Sequence, residues 1–226
     1  NDSRINAIRK RLVAKEHAIQ AIEYAKTGPV AESSVGAGTG TVAFGFKAGI
    51  GTSSRVLSQS DGAYAVGVLV QANYGGDLHI LGVPIGRMLK QKQAQANTPD
   101  GSVMIVVATD APLSDRNLCR FAKRAILGIG RTGGNMSNGS GDYVLAFSTA
   151  PSVRRSRRQQ RTSSQSAELP NHRTTPLFST VIEATEEAVY NALITAESVK
   201  GRNGKFYEKL PVETVLNLIR KHQHIQ

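Results

Sequence analysis

The sequence predicts an α/β fold, and three observations carry that reading. Strand-like apolar runs occur at 63–73, 103–107 and 143–148. Apolar residues recur at helical spacing within 13–26, 118–125, 184–193 and 212–221. Strands and helices alternate along the chain, with glycine-rich turns between them. The chain has 226 residues, 40% of them hydrophobic, enough to bury a sizeable core. It reads as a single domain over 1–226.

The first helix, 13–26, places Val13, Ala14, His17, Ala18, Ala21, Ile22 and Ala25 at helical spacing. Gly28-Pro29 stops it. His17 lies on its apolar side and reads as a partly buried structural histidine. Six glycines follow within 30–55. Gly36-Ala-Gly-Thr-Gly40 resembles a phosphate loop but lacks the lysine of a P-loop, and Thr41 to Phe46 continue as strand rather than opening a helix. Close backbone approach, between layers or to a substrate, is the expected role. A strand over 63–73 ends in polar Asn73. That amide serves either an Asx turn or an oxyanion. A short strand is expected at 79–83, and a polar, mobile loop at 86–98.

Pro99, Asp100 and Gly101 form a turn, and the buried strand 103–107 follows. Ser102 sits where turn meets strand. Gly101 leaves its carbonyl unshielded and tolerates strained φ/ψ. The plain reading is an ordinary loop-to-strand turn. The alternative is that the Ser102 hydroxyl attacks the peptide bond before it, so that the chain cuts itself into 1–101 and 102–226. Next comes a helix with Ser114 as N-cap and Asp115 in its first turn. Gly128 and Gly130 are expected to end it. Cys119 is a small helix residue, and a single cysteine allows no internal disulfide. Ser140 and Asp142 precede the strand at 143–148, either as plain turn residues or flanking a reactive group. A strand at 176–180, a helix at 183–196 with Glu183, Glu186 and Glu187 in its first turns, a Gly201–Gly204 turn and a helix at 212–221 complete the chain.

The net charge is +11, and five arginines crowd into 154–161. No aromatic residue interleaves them, so base stacking is not signalled. A solvated basic loop over 150–175 is favoured over a nucleic-acid site. No metal or cofactor is expected, because no ligand cluster has metal spacing. No run reaches membrane-span length, and residues 1–15 carry no secretory signal. The expected compartment is cytoplasmic, with the periplasm as alternative. Asn1 in place of a methionine reads as a processed end or an interior fragment.

Six stretches together resemble the DmpA family of L-aminopeptidase/D-amidase-esterases and β-peptidyl aminopeptidases. They are Gly36-Ala-Gly-Thr-Gly-Thr41, Gly45–Arg55, Val68–Gly75, Asp100–Leu113, Asn138–Tyr143 and Ile182–Ala192. The resemblance runs from about 13 to 215. It implies a four-layer αββα sandwich like that of N-terminal-nucleophile hydrolases, with different connectivity. It implies self-cleavage between Gly101 and Ser102, with Ser102 as nucleophile. Asn73 takes the oxyanion role, and Ser140 and Asp142 assist the nucleophile. The implied activity is release of N-terminal residues from small peptides, amides or esters through an acyl-enzyme. The implied partners are the other piece of the cut chain and further copies in a homo-oligomer. The family's amine-holding acid is expected before Asn1. Residue 142 is aspartate where some β-peptide-cleaving relatives carry glutamate, and Val42-Ala-Phe-Gly45 lacks a Cys-His pair found in several. Two rival readings remain. One is an acyltransferase like the ornithine acetyltransferases, which use an N-terminal threonine. The other is a basic nucleic-acid-binding protein acting through Arg154–Arg161.

Overall fold

The computed structural model describes residues 5–89, 101–155, 167–202 and 204–223. In chain order, α1 spans Lys15–Glu23, β1 Val42–Ala43, β2 Phe46–Lys47, β3 Ile50–Val56 and β4 Ala65–Asn73. A single helical turn, α2, spans Ile85–Met88, and β5 spans Ser102–Thr109. Then come α3 (Asp115–Arg131), β6 (Gly141–Ser148), α4 (Thr175–Ile194), β7 (Val199–Lys200), β8 (Phe206–Tyr207) and α5 (Val212–Gln223). The expected loop at 86–98 falls largely outside the described residues. That at 150–175 is described at 150–155 and 167–175, where it is not all surface loop, since Leu169 and Thr174 are buried and Thr175 already opens α4.

The main sheet has the order β3-β4-β5-β6. β3 to β5 are antiparallel neighbours, and β6 lies parallel to β5. A parallel pair needs a crossover, which α3 supplies. Strand alternation then assigns two faces. Val66, Val68, Val70, Val103, Ile105 and Val107 are buried on one side. Helices α3 and α4 cover that side, α4 over β3 and β4 and α3 over β6. Helix–sheet approach is close where glycine allows it. A Cβ on Gly51 would sit 1.9 Å from the Ala188 carbonyl oxygen of α4.

The opposite face is apolar yet open. Leu69, Val106 and Leu145 lie in register across three strands, beside Met104 opposite Tyr143 and Ala108 opposite Phe147. Tyr143 and Leu145 remain 65% and 64% exposed. Among the described residues the sheet is therefore covered on one side only, as two layers of an α/β fold.

Several expected elements change. Residues 176–180 are the first turns of α4, with Pro176 near its N-terminus, where the missing N–H costs nothing. Glu183, Glu186 and Glu187 consequently lie mid-helix. Glu186 accepts from the Tyr190 hydroxyl and pairs with Arg131, while Glu187 pairs with Arg55. Gly128 and Gly130 lie inside α3 rather than ending it. At Gly128 the reason is packing, since a Cβ there would come within 2.6 Å of the Ile182 carbonyl oxygen. Ser114 has the extended conformation of an N-cap without a side-chain cap hydrogen bond. The strand expected at 79–83 is reduced to one bridge, Ile80 to Val83. The run Thr41–Phe46 folds into the hairpin β1–β2, with Phe44 and Gly45 at positive φ in the turn. His17 is exposed, not part-buried, and its Nδ1 accepts the Ala14 N–H at the start of α1. The glycine loop at 36–40 serves close approach, because a Cβ on Gly38 would meet the Ser33 carbonyl oxygen at 2.6 Å. No helix among the described residues is long and apolar enough to cross a membrane.

Candidate active site

The four residues singled out by the sequence converge at one end of the main sheet. Asn73 is the last residue of β4 and Ser102 the first of β5, and they are directly paired. Strand alternation puts both on the open face with Leu69, Gln71 and Met104. Gly141 begins β6 and pairs with Ser102 from the other side. The junction thus lies between two strands that hold it on both flanks.

The Asn73 side chain is buried and oriented. Its Oδ1 accepts the Val42 N–H at 3.1 Å, so its Nδ2 faces Ser102, 3.4 Å from Oγ. An amide fixed by one hydrogen bond presents its donor without reorganisation. Hairpin β1–β2 supplies that fixing bond. The hairpin is tied back where the Phe44 N–H donates to the Tyr74 carbonyl at 2.9 Å, and the Phe44 ring packs edge-on against Tyr74 with centroids 5.1 Å apart.

Ser140 and Asp142 form a second linked pair. The Ser140 hydroxyl donates to Asp142 Oδ1 at 2.8 Å, and the same oxygen accepts the Val103 N–H at 3.1 Å. The carboxylate is therefore anchored to the strand that carries the nucleophile. Gly101 packs closely here. A Cβ on it would lie 3.2 Å from Tyr74 Cα and 3.4 Å from Ser140 Oγ. Its φ is not in the left-handed region. Close approach, rather than the backbone strain expected from sequence, accounts for glycine at this position.

The sequence reading missed two groups. One is the Gly141 N–H, which donates to the Gly101 carbonyl oxygen at 3.2 Å. The other is Lys47 of β2, wholly buried, whose Nζ donates to the carbonyls of Gly38 (3.0 Å) and Ala48. Lys47 pins the glycine loop against the hairpin that orients Asn73. Neither group carries a recognisable signature, since one is backbone and the other is a lone lysine within a glycine-rich segment.

Burial lowers the Lys47 pKa from 10.5 to about 8. Between those values the unfolded chain holds a proton that the folded chain has lost. Stability therefore rises with pH across that window, by up to about 3 kcal/mol in total. Denaturant unfolding of the parent and of Lys47→Met at pH 7.5 and pH 10 checks this. The parent should gain against the variant at the higher pH, and a constant difference contradicts it. Burial also raises the Tyr74 phenol well above its usual value, with the Asp142 charge contributing in the same direction. Tyr74 is thus a neutral packing group beside the junction, with its hydroxyl 3.3 Å from Thr132 Oγ1.

No group of three or more His, Cys, Asp or Glu side chains able to hold a metal occurs among the described residues.

Comparison with known proteins places the chain in a family. Residues 1–207 match peptidase family S58. The β-peptidyl aminopeptidase BapA of Sphingosinicella microcystinivorans is 40% identical over 99% of this chain and 60% of its own length. Among solved structures, the PH0078 protein of Pyrococcus horikoshii OT3 is 43% identical, with a TM-score of 0.88 over 98% of this chain and 61% of that one. The L-aminopeptidase D-Ala-esterase/amidase of Ochrobactrum anthropi is 33% identical, with a TM-score of 0.87 over 98% and 61%. That protein is described as a prototype of the serine aminopeptidases and a variant of the Ntn hydrolase fold. The chain spans about three-fifths of the length of these relatives. A match over most of the chain, together with close structural likeness at these identities, means that the chain belongs to peptidase family S58.

Proposed function

We propose that this chain forms most of a self-processing serine aminopeptidase. In this reading it cuts itself between Gly101 and Ser102. The freed Ser102 then removes N-terminal residues from small peptides, amides or esters. The observation that carries it is the Asn73 amide, locked by Val42 and aimed at Ser102 Oγ from 3.4 Å.

The chemistry follows from the positions. A serine hydroxyl is a weak nucleophile and needs a base. Cutting supplies one, since a free α-amino group has a reference pKa of about 7.7–8.0, near the pH where a general base works best. Ser102 Oγ attacks the substrate carbonyl, and the Asn73 Nδ2 donates to the oxygen as it gains charge. The leaving amine departs with a proton, and water hydrolyses the acyl-Ser102 ester. Ser140, oriented by Asp142, stabilises charge beside the nucleophile. Asn73 precedes the cut and Ser102 follows it, so both pieces contribute to the site. They stay joined because β4 and β5 pair at eight positions, from Val66–Thr109 to Asn73–Ser102.

We further propose that the whole enzyme is a four-layer αββα sandwich. The uncovered apolar face of Leu69, Met104, Val106, Tyr143, Leu145 and Phe147 supports a second sheet packed there. That face carries the Ser102 side, so the second sheet would close the site from above.

The substrate test is hydrolysis of amino-acid amides with free and blocked amines, in paired α- and β-amino-acid series. An aminopeptidase cuts only the free-amine substrates, and hydrolysis of the blocked amides alone contradicts the reading. Replacing Arg154, Arg155, Arg157, Arg158 and Arg161 with serine separates the hydrolase from a nucleic-acid binder. Activity on the amides should stay within a few-fold of the parent. Loss of activity in a folded, cut variant would place those arginines in the site.

A further inference from the structure

We propose that the Gly141 backbone N–H is the oxyanion donor of the self-cleavage step. This rests on the reading of Ser102 as the residue that cuts the chain. In the intact chain, the Gly141 N–H donates to the Gly101 carbonyl oxygen at 3.2 Å, and that carbonyl belongs to the bond to be cut. The Asn73 amide reaches the junction from the opposite strand and is directed at Ser102 Oγ. The strands flanking β5 thus address different atoms of one reaction, β4 the attacking oxygen and β6 the carbonyl.

The donor is rigid. Gly141 is in ladder register with Ser102, and its neighbours are fixed on both sides. Ser140 is bonded to Asp142, and Asp142 to the Val103 N–H. A donor held this way needs no reorganisation as charge develops. Its bond to a neutral carbonyl at 3.2 Å is weak, while a bond to an oxyanion is shorter and about twice as strong. The gain falls in the transition state, where it lowers the barrier.

In the step itself the Ser102 hydroxyl gives up its proton, and Oγ bonds to the Gly101 carbonyl carbon. The carbonyl π pair moves onto the oxygen facing Gly141. The pair then returns and the C–N bond breaks. The Ser102 nitrogen takes up a proton, leaving an ester between Gly101 and Ser102 Oγ. Water hydrolyses that ester to the Gly101 carboxylate and a free Ser102.

Glycine itself is not what position 141 requires. Its φ is not left-handed, and a Cβ there would meet only Tyr143 Cε2 at 3.6 Å and Ser102 Cβ at 4.0 Å. Gly141→Ala therefore keeps the N–H and serves as the control. Gly141→Pro removes it at the first residue of a strand, a position proline tolerates. A backbone ester at 141, introduced as glycolic acid, replaces the N–H with oxygen and keeps the trans planar geometry, at the cost of a weaker acceptor at the Ser140 carbonyl.

The test follows the cutting of freshly synthesised full-length protein by gel and intact mass, with circular dichroism as the check on folding. Gly141→Ala, which keeps the N–H, should be cut far faster than either variant that lacks it. The ester and Gly141→Pro should be cut about 100-fold more slowly or worse, the loss typical of one oxyanion donor. If proline prevents folding, the ester decides. A folded ester protein cut at the parental rate overturns the Gly141 assignment while leaving Ser102 in place. A parent that is never cut overturns the self-cleavage reading, and the Gly141 role falls with it.

Discussion

Ser102→Ala is expected to give a folded, uncut and inactive protein. The hydroxyl is the oxygen at the Gly101 junction that faces the Asn73 amide. Without it the chain should not be cut, so the α-amino group proposed as base would never form. The variant thus loses nucleophile and base together, and no partial mechanism survives. The fold should tolerate the change, because Ser102 is only half-buried and its strand is held by β4 and β6 along its whole length. A gel and an amino-acid amide assay on parent and variant check this. A cut or active Ser102→Ala protein removes the nucleophile assignment.

Asn73→Ala is expected to lower kcat by about two to three orders of magnitude, or roughly 3–4 kcal/mol of transition-state stabilisation. KM should move far less, because the amide acts on charge that exists only during reaction. The Val42 N–H also loses its acceptor in this variant, so Asn73→Asp is the informative companion. It keeps an acceptor for Val42 and replaces the donor with a carboxylate. Both variants should be slow if the donor matters. A slow Asn73→Ala beside a normal Asn73→Asp would instead assign Asn73 to holding the hairpin.

Much of the main sheet and all four proposed side chains were legible in the sequence. The strands β4 and β5 are valine-rich runs bounded by turn residues, and such runs have few alternatives. Asn73, Ser102, Ser140 and Asp142 stood at strand ends, where polar side chains among apolar runs are conspicuous. What was not legible depended on packing between distant segments. Gly128 reads locally as a helix stop, yet it lies within α3 because α4 crosses there at backbone contact. The start of α4 reads as strand because Pro176 interrupts the helical period just where the helix begins. The fixed orientation of the Asn73 amide depends on Val42, thirty-one residues earlier in the chain. The Gly141 donor is backbone, which no side-chain pattern can announce. The open apolar face shows the reverse limit. Alternation along β5 and β6 is correct, but the sequence of this stretch does not say what covers Tyr143, Leu145 and Phe147.

Intact mass with N-terminal sequencing of the purified full-length protein tests the central claim most directly. The account predicts two polypeptides that remain associated, one ending at Gly101 and the other beginning Ser-Val-Met-Ile, with their masses summing to the uncut chain plus one water. A single uncut chain in protein that hydrolyses amino-acid amides would contradict it.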